Sequence, residues 1–134
     1  MFKELTINFN IKERFMKPYL ILLIVILTTG YTLAKTTVVD ANESGKYLGK
    51  VVKVCGQLSQ IRDFKKGIYL NINDKFPNQD ITFVVWDSSI SKIEAEWGGF
   101  RELLGKSVCA TGLVKTYKDN IQISLDSKYA FEVK

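Results

Sequence analysis

From Lys50 onward the apolar residues of this chain recur at every second position, the spacing of a strand with one buried face and not of a helix. Val52, Val54, Gly56 and Leu58 share one parity and Lys53, Cys55, Gln57 and Ser59 the other, which predicts a strand near Lys50–Arg62. After a turn at Asp63–Gly67 the period returns, with Ile68, Leu70 and Ile72 on one side and Tyr69, Asn71 and Asn73 on the other. A loop containing Pro77 spans Asp74–Asp80, and the β-branched run Ile81–Trp86 makes a third strand. Two more are expected near Lys106–Tyr117 and Asn120–Leu125, joined by a tight turn around Lys118–Asn120, with Tyr129–Val133 as a terminal extension.

One stretch breaks the period. Between Ser88 and Gly105, Ile90, Ile93, Trp97, Phe100, Leu103 and Leu104 recur at three and four, a helical stripe. Gly98-Gly99 interrupts it, at a cost of about 1 kcal/mol per Gly inside a helix. A short or broken helix is therefore expected. A weak echo also runs through the chain: Tyr47-Leu48-Gly49-Lys50 and the strand after it align with Leu103-Leu104-Gly105-Lys106 at a spacing of 56 residues. Two copies make no solenoid. The pattern is read as two equivalent strand starts, with Gly56 and Gly112 supplying the bend of a small coiled sheet.

The N-terminal third obeys different rules. Tyr19–Leu27 is uninterrupted apolar or aromatic sequence, preceded by Lys17-Pro18 and followed by Thr28-Thr29-Gly30-Tyr31-Thr32-Leu33-Ala34. A charged start, a short apolar run and small residues at Thr32 and Ala34 form a signal peptide over residues 1–34, with cleavage expected after Ala34. Met16 opens a conventional signal by itself, so residues 1–15 are read as an overlong start. A retained anchor is the alternative, but a spanning helix needs about 20 apolar residues. Export makes the compartment periplasmic or extracellular, and membrane contact arises only through an uncleaved segment.

Residues 35–134 then form the folded domain and carry 15 of the 19 basic and 12 of the 14 acidic residues, so a formal charge of +5 shrinks to +3. A chain of that size buries roughly 65% of its unfolded surface, enough for one core. Three meandering strands, a helical connector and a two-stranded hairpin is the element order of the OB-fold. This all-β, five-stranded Greek-key barrel has its short helix between strands 3 and 4.

Three segments carry a family resemblance: Tyr47–Gly56, the middle run Gly67–Ile72 with Phe76–Val85, and Gly105–Val108 with Thr111-Gly112 and Tyr117–Ile123. In these the chain resembles bacterial exported OB-fold domains of the nucleic-acid-binding, anticodon-binding-like type. The resemblance implies a binding module. OB-folds bind on the face of strands 2 and 3, between the loops joining strands 1–2 and 4–5. Those places hold Arg62, Phe64, Lys65 and Lys66, then Tyr69 and Trp86, then Lys115, Tyr117 and Lys118. Single-stranded nucleic acid needs cations along its phosphates and flat side chains under its bases, each stack contributing about 1–3 kcal/mol. Read one at a time, the same Lys and Arg cap solvated turns, and Tyr69 and Trp86 finish the core. A protein-interaction domain of the bacterial envelope, using the same face or an open strand edge, is the alternative function.

Cys55 and Cys109 fall on the polar parity of strands that are antiparallel neighbours in an OB-fold. In an oxidising compartment they form either a disulfide or two separate buried thiols, and sequence does not fix the register that decides between them. Catalytic signals are few. With no His in the chain, neither a zinc site nor a Cys–His nucleophile can be built from two Cys. Asn71-Ile72-Asn73-Asp74 lacks the Gly and distal Glu of a calcium loop and reads as a turn. Glu94 and Glu96 point to different sides of any helix. No enzyme activity, metal or cofactor is expected.

Overall fold

The alternation is realised as strands, but the sheet they form has eight members where five were expected. A computed structural model describes residues 33–134, and the chain from Thr36 to Lys134 forms one unit. The signal segment and its apolar helix, expected at residues 1–34, lie outside the described residues except for Leu33 and Ala34. Among the described residues no helix is long and apolar enough to cross a membrane.

The order is β1 (Val38–Asp40), a 3-10 segment Ala41–Tyr47, β2 (Val51–Phe64), β3 (Gly67–Ile72), β4 (Ile81–Trp86) and α1 (Asp87–Trp97). A 3-10 segment Phe100–Leu103 follows, then β5 (Ser107–Leu113), β6 (Lys115–Tyr117), β7 (Asn120–Leu125), a 3-10 segment Lys128–Ala130 and β8 (Phe131–Val133). Hydrogen bonding runs β6-β7-β4-β3-β2-β5-β8, with β1 parallel to β2. This order is open where a closed ring of five was expected. β6 at one end and β5, next to last at the other, are nevertheless one stretch of chain, because Val114 alone separates them: Ser107–Leu113 pairs with β2 and Lys115–Tyr117 with β7. The expected strand Lys106–Tyr117 is thus bent at Val114, whose side chain is fully buried. β1 and the segment after it were not anticipated, since three residues are too few to display a period.

The inward parity is as the alternation predicts. Val54, Leu58, Leu70, Ile72, Ile81, Phe83, Val85, Ile123 and Leu125 are fully buried and form one cluster, which Ile93, Phe100 and Leu103 join from the helical side. The helical stripe divides at Gly98, whose φ of 89° ends α1, and Leu104 turns out to be exposed. Gly56 and Gly112 stand where close packing leaves no room for a Cβ. A Cβ on Gly56 would stand 2.4 Å from Ile72 Cγ2 and 2.9 Å from Ala41 Cβ, and one on Gly112 would stand 2.8 Å from Ile123 Cγ2.

The internal echo has a physical counterpart. Leu48 and Leu104 both sit at φ −54° and ψ 131°, followed by Gly49 at φ 80° and Gly105 at φ 84°. These are type II turns, closed by Lys50 N–H donating to Tyr47 O at 3.0 Å and Lys106 N–H to Leu103 O at 2.9 Å. Each turn then bonds to the residue just past the paired stretch of the other strand, Gly49 N–H donating to Val114 O and Gly105 N–H to Leu58 O, both at 2.8 Å. The β2–β5 pair is a local twofold, with equivalent starts held by equivalent bonds.

Within that pair Cys55 lies directly opposite Cys109, and the two are bridged, with Cα atoms 4.1 Å apart. Val114 N–H donates to Lys50 O, so hydrogen-bonded pairs fall on even positions of β2 and the Cys55 pair belongs to the closer, non-hydrogen-bonded set. That register puts two sulfurs within reach. Closing a loop of this length removes about 4 kcal/mol of unfolded-chain entropy at most.

Candidate functional site

Cross-strand register lays the outer face of β2, β3, β4 and β7 out in rows. One row runs Gln60, Asn71, Thr82, Gln122; the next runs Arg62, Tyr69, Val84, Ser124; a third runs Phe64, Gly67, Trp86. Across Gly67, Phe64 meets Trp86 edge-on with ring centroids 5.7 Å apart, and it stacks on Tyr69 at 4.3 Å. The indole N–H of Trp86 donates to Ser124 Oγ at 2.7 Å. Trp86 is therefore an outward residue, although its neighbours on β4 are buried.

At the lower end of these rows lies a groove of about 290 Å³, at the small end of ligand pockets. Arg62 and Tyr69 on one side and Tyr117 and Lys118 on the other line it, so four of the residues expected to bind do converge. The Arg62 guanidinium lies 4.8 Å from the Phe76 ring centroid, and the Lys118 ammonium 5.4 Å from that of Tyr117. Phe76 is 48% and Tyr117 55% exposed, so each wall carries a cation beside a wet aromatic face. Lys118 and Asp119, at φ 46° and 64°, make the tight turn that holds Tyr117 opposite Asn120.

The groove floor is a chain of side-chain hydrogen bonds whose direction is fixed at both ends by backbone. Phe76 N–H donates to Gln60 Oε1 at 2.9 Å, which also accepts from Asn71 Nδ2 at 2.8 Å. Asn71 Oδ1 then accepts from the Thr82 hydroxyl at 2.8 Å, and Thr82 Oγ1 from Gln79 Nε2 at 3.2 Å. Gln79 Nε2 reaches Asn120 Oδ1 at 3.4 Å, and Asn120 Nδ2 ends the chain on Lys118 O at 3.0 Å. A backbone donor at one end and a backbone acceptor at the other leave no amide able to flip. The chain ties the Asp74–Asp80 loop to the β6–β7 turn across the strands.

The other five expected residues do not line the groove: Phe64 and Trp86 stand in the row beyond Tyr69, and three lysines lie elsewhere. Lys65 and Lys66 form the tip of the β2–β3 hairpin, tighter than the turn expected at Asp63–Gly67, and stand beyond the Phe64 row at the start of α1, where Lys66 O accepts from Asp87 N–H. Lys115 pairs in register with Gln122 but lines a second cavity of about 330 Å³, between β5 and β7, together with Asp126. Asp63, acidic and close to the first loop, is engaged by Arg101 at 3.2 Å on the surface. Sequence reasoning missed Asn71, Phe76, Gln79, Thr82, Asn120 and Gln122 as groove residues. The polar parity of β7 carried a signal for the last two, whereas Phe76 and Gln79 arrive from a loop without period.

No protein-family model matches the chain and no curated protein matches it. Among solved structures it is similar to one described as an aspartyl-tRNA synthetase from Leishmania major Friedlin, with a TM-score of 0.52 and 11% identity over 78% of this chain and 22% of the synthetase. It is similar also to two OBodies bound to hen egg-white lysozyme, with TM-scores of 0.50 and 0.51 and identities of 17% and 15%. These cover 78% and 75% of this chain and 96% and 94% of theirs. The shared feature is the OB-fold.

Proposed function

We propose that this chain is an exported binding module, not an enzyme, whose ligand is single-stranded nucleic acid or an oligonucleotide. The observation that carries the reading is the convergence of Arg62 and Lys118 with Tyr69, Phe76 and Tyr117 around one groove on the outer sheet face. Cations for phosphates and flat rings for bases are what a single strand requires. The synthetase similar to this chain acts, by its name, on tRNA.

The salt dependence of binding tests it. Each phosphate neutralised on a single strand contributes about 0.7 to the slope of log affinity against log salt, so two groove cations give roughly 1.4. Arg62→Ala and Lys118→Ala should each lower the slope by about half of that. No binding at low salt, by fluorescence anisotropy of a labelled strand, would sink the reading.

The OBodies similar to this chain are bound to a protein, which keeps an envelope protein partner as the second reading. A protein ligand usually gives a shallow salt slope.

The Cys55–Cys109 bridge supports export, because such bonds persist in oxidising compartments. N-terminal sequencing of the exported protein should begin at Lys35; a chain recovered with residues 1–34 intact would overturn the cleavage.

A further inference from the structure

Resting on the nucleic-acid reading, we propose that Gln60, which does not line the groove, is its positioning residue: it holds Phe76 in place before a ligand arrives. A break in the alternation of β2 puts it there. Leu58 pairs with Ile72 but Gln60 with Asn71, so two steps along β2 match one along β3, and Ser59 is the extra residue of a bulge. Parity reverses across it. Val52, Val54 and Leu58 are buried at even positions, whereas beyond the bulge Ile61 packs on the core and Gln60, Arg62 and Phe64 turn to the outer face. An uninterrupted strand would point Gln60 and Arg62 the way of Leu58, into the core.

Turned outward, Gln60 and Arg62 grip the same loop residue. Gln60 Oε1 accepts from Phe76 N–H at 2.9 Å, and the Arg62 guanidinium lies over the Phe76 ring. Elsewhere at the loop tip, Lys75 N–H and Asn78 N–H bond within the loop, to Asp74 Oδ1 and Lys75 O. The Phe76 amide is therefore where the tip is bonded to the sheet. Burial does not fix this residue, since Phe76 is half exposed. Gln60 is itself held, because the same Oε1 accepts from Asn71 Nδ2 and Asn71 is buried and bonded to Thr82. A ring fixed before binding has less freedom to lose when a base stacks on it, so a residue outside the groove governs affinity through Phe76.

Hydrogen exchange of the Phe76 amide in the ligand-free protein, and anisotropy of a labelled oligo(dT), test this together. The Phe76 amide should exchange slowly although it lies in a loop; Gln60→Leu should release it, and Gln60→Glu, which keeps an acceptor oxygen, should leave it protected. Gln60→Leu should weaken oligo(dT) binding about fivefold or more, as loss of a stack does, with the salt slope unchanged because Arg62 and Lys118 remain. Phe76→Ala should weaken it by at least as much, and the double variant by no more than Phe76→Ala alone. Fast exchange of the Phe76 amide in the unmodified protein, exchange unaltered by Gln60→Leu, or losses that multiply in the double variant would overturn the positioning role and leave the binding function standing. Failure of the unmodified protein to bind oligo(dT) at low salt would overturn the function itself.

Discussion

Asn71 is only 2% exposed, and a buried amide without partners costs about 1–3 kcal/mol, so its side chain has to be satisfied where it lies. Gln60 and Thr82 do this, and in doing so they turn three polar residues on three strands into the floor of a groove. The alternation of β3 already put Asn71 on the outward parity with Tyr69. What alternation cannot give is the partner, because the pairing of Asn71 with Thr82 depends on register between strands. The same limit explains the cysteines, whose parity was readable and whose bridging was not. Lys115 is a different case: it lies two positions from Tyr117 on the same strand and opposite Gln122, yet it lines the second cavity.

At the scale of elements, the twin turns before β2 and β5 are the clearest case of sequence carrying structure. The aligned Leu-Gly-Lys triplets read as two strand starts, and both fold as type II turns with Gly at positive φ. Nothing lies within 4 Å of a Cβ built on either Gly49 or Gly105, so alanine at either place meets only the backbone penalty. Gly49→Ala and Gly105→Ala should each lower stability by about 1–2 kcal/mol, and by similar amounts, as read from the urea midpoint. A midpoint unmoved by either change would remove the turn assignment. The three middle strands and the helix broken at Gly98 were equally legible, each having a period to read. β1 and the segment Ala41–Tyr47 were not: a three-residue strand shows no alternation, and a 3-10 segment has no 3.6-residue stripe.

For the whole molecule, the charge matters less through its sum than through its placement. Residues 35–134 carry a net charge of only +3, so long-range attraction is weak. Arg62 and Lys118 instead stand on opposite walls of one groove beside exposed rings. The fold brings those walls together: β2 and β7 are separated in sequence but share the face of β3 and β4. Lys65, Lys66 and Lys115 do not line the groove. Backbone amide shifts in the isotope-labelled protein, followed as a single-stranded oligonucleotide is added, test this most directly. The groove account predicts movement at Arg62, Tyr69, Phe76 and the stretch from Tyr117 to Gln122, with Lys115, Asp126 and Ser127 left in place. Shifts confined to that second cavity or to β8, with the groove amides unmoved, would contradict it.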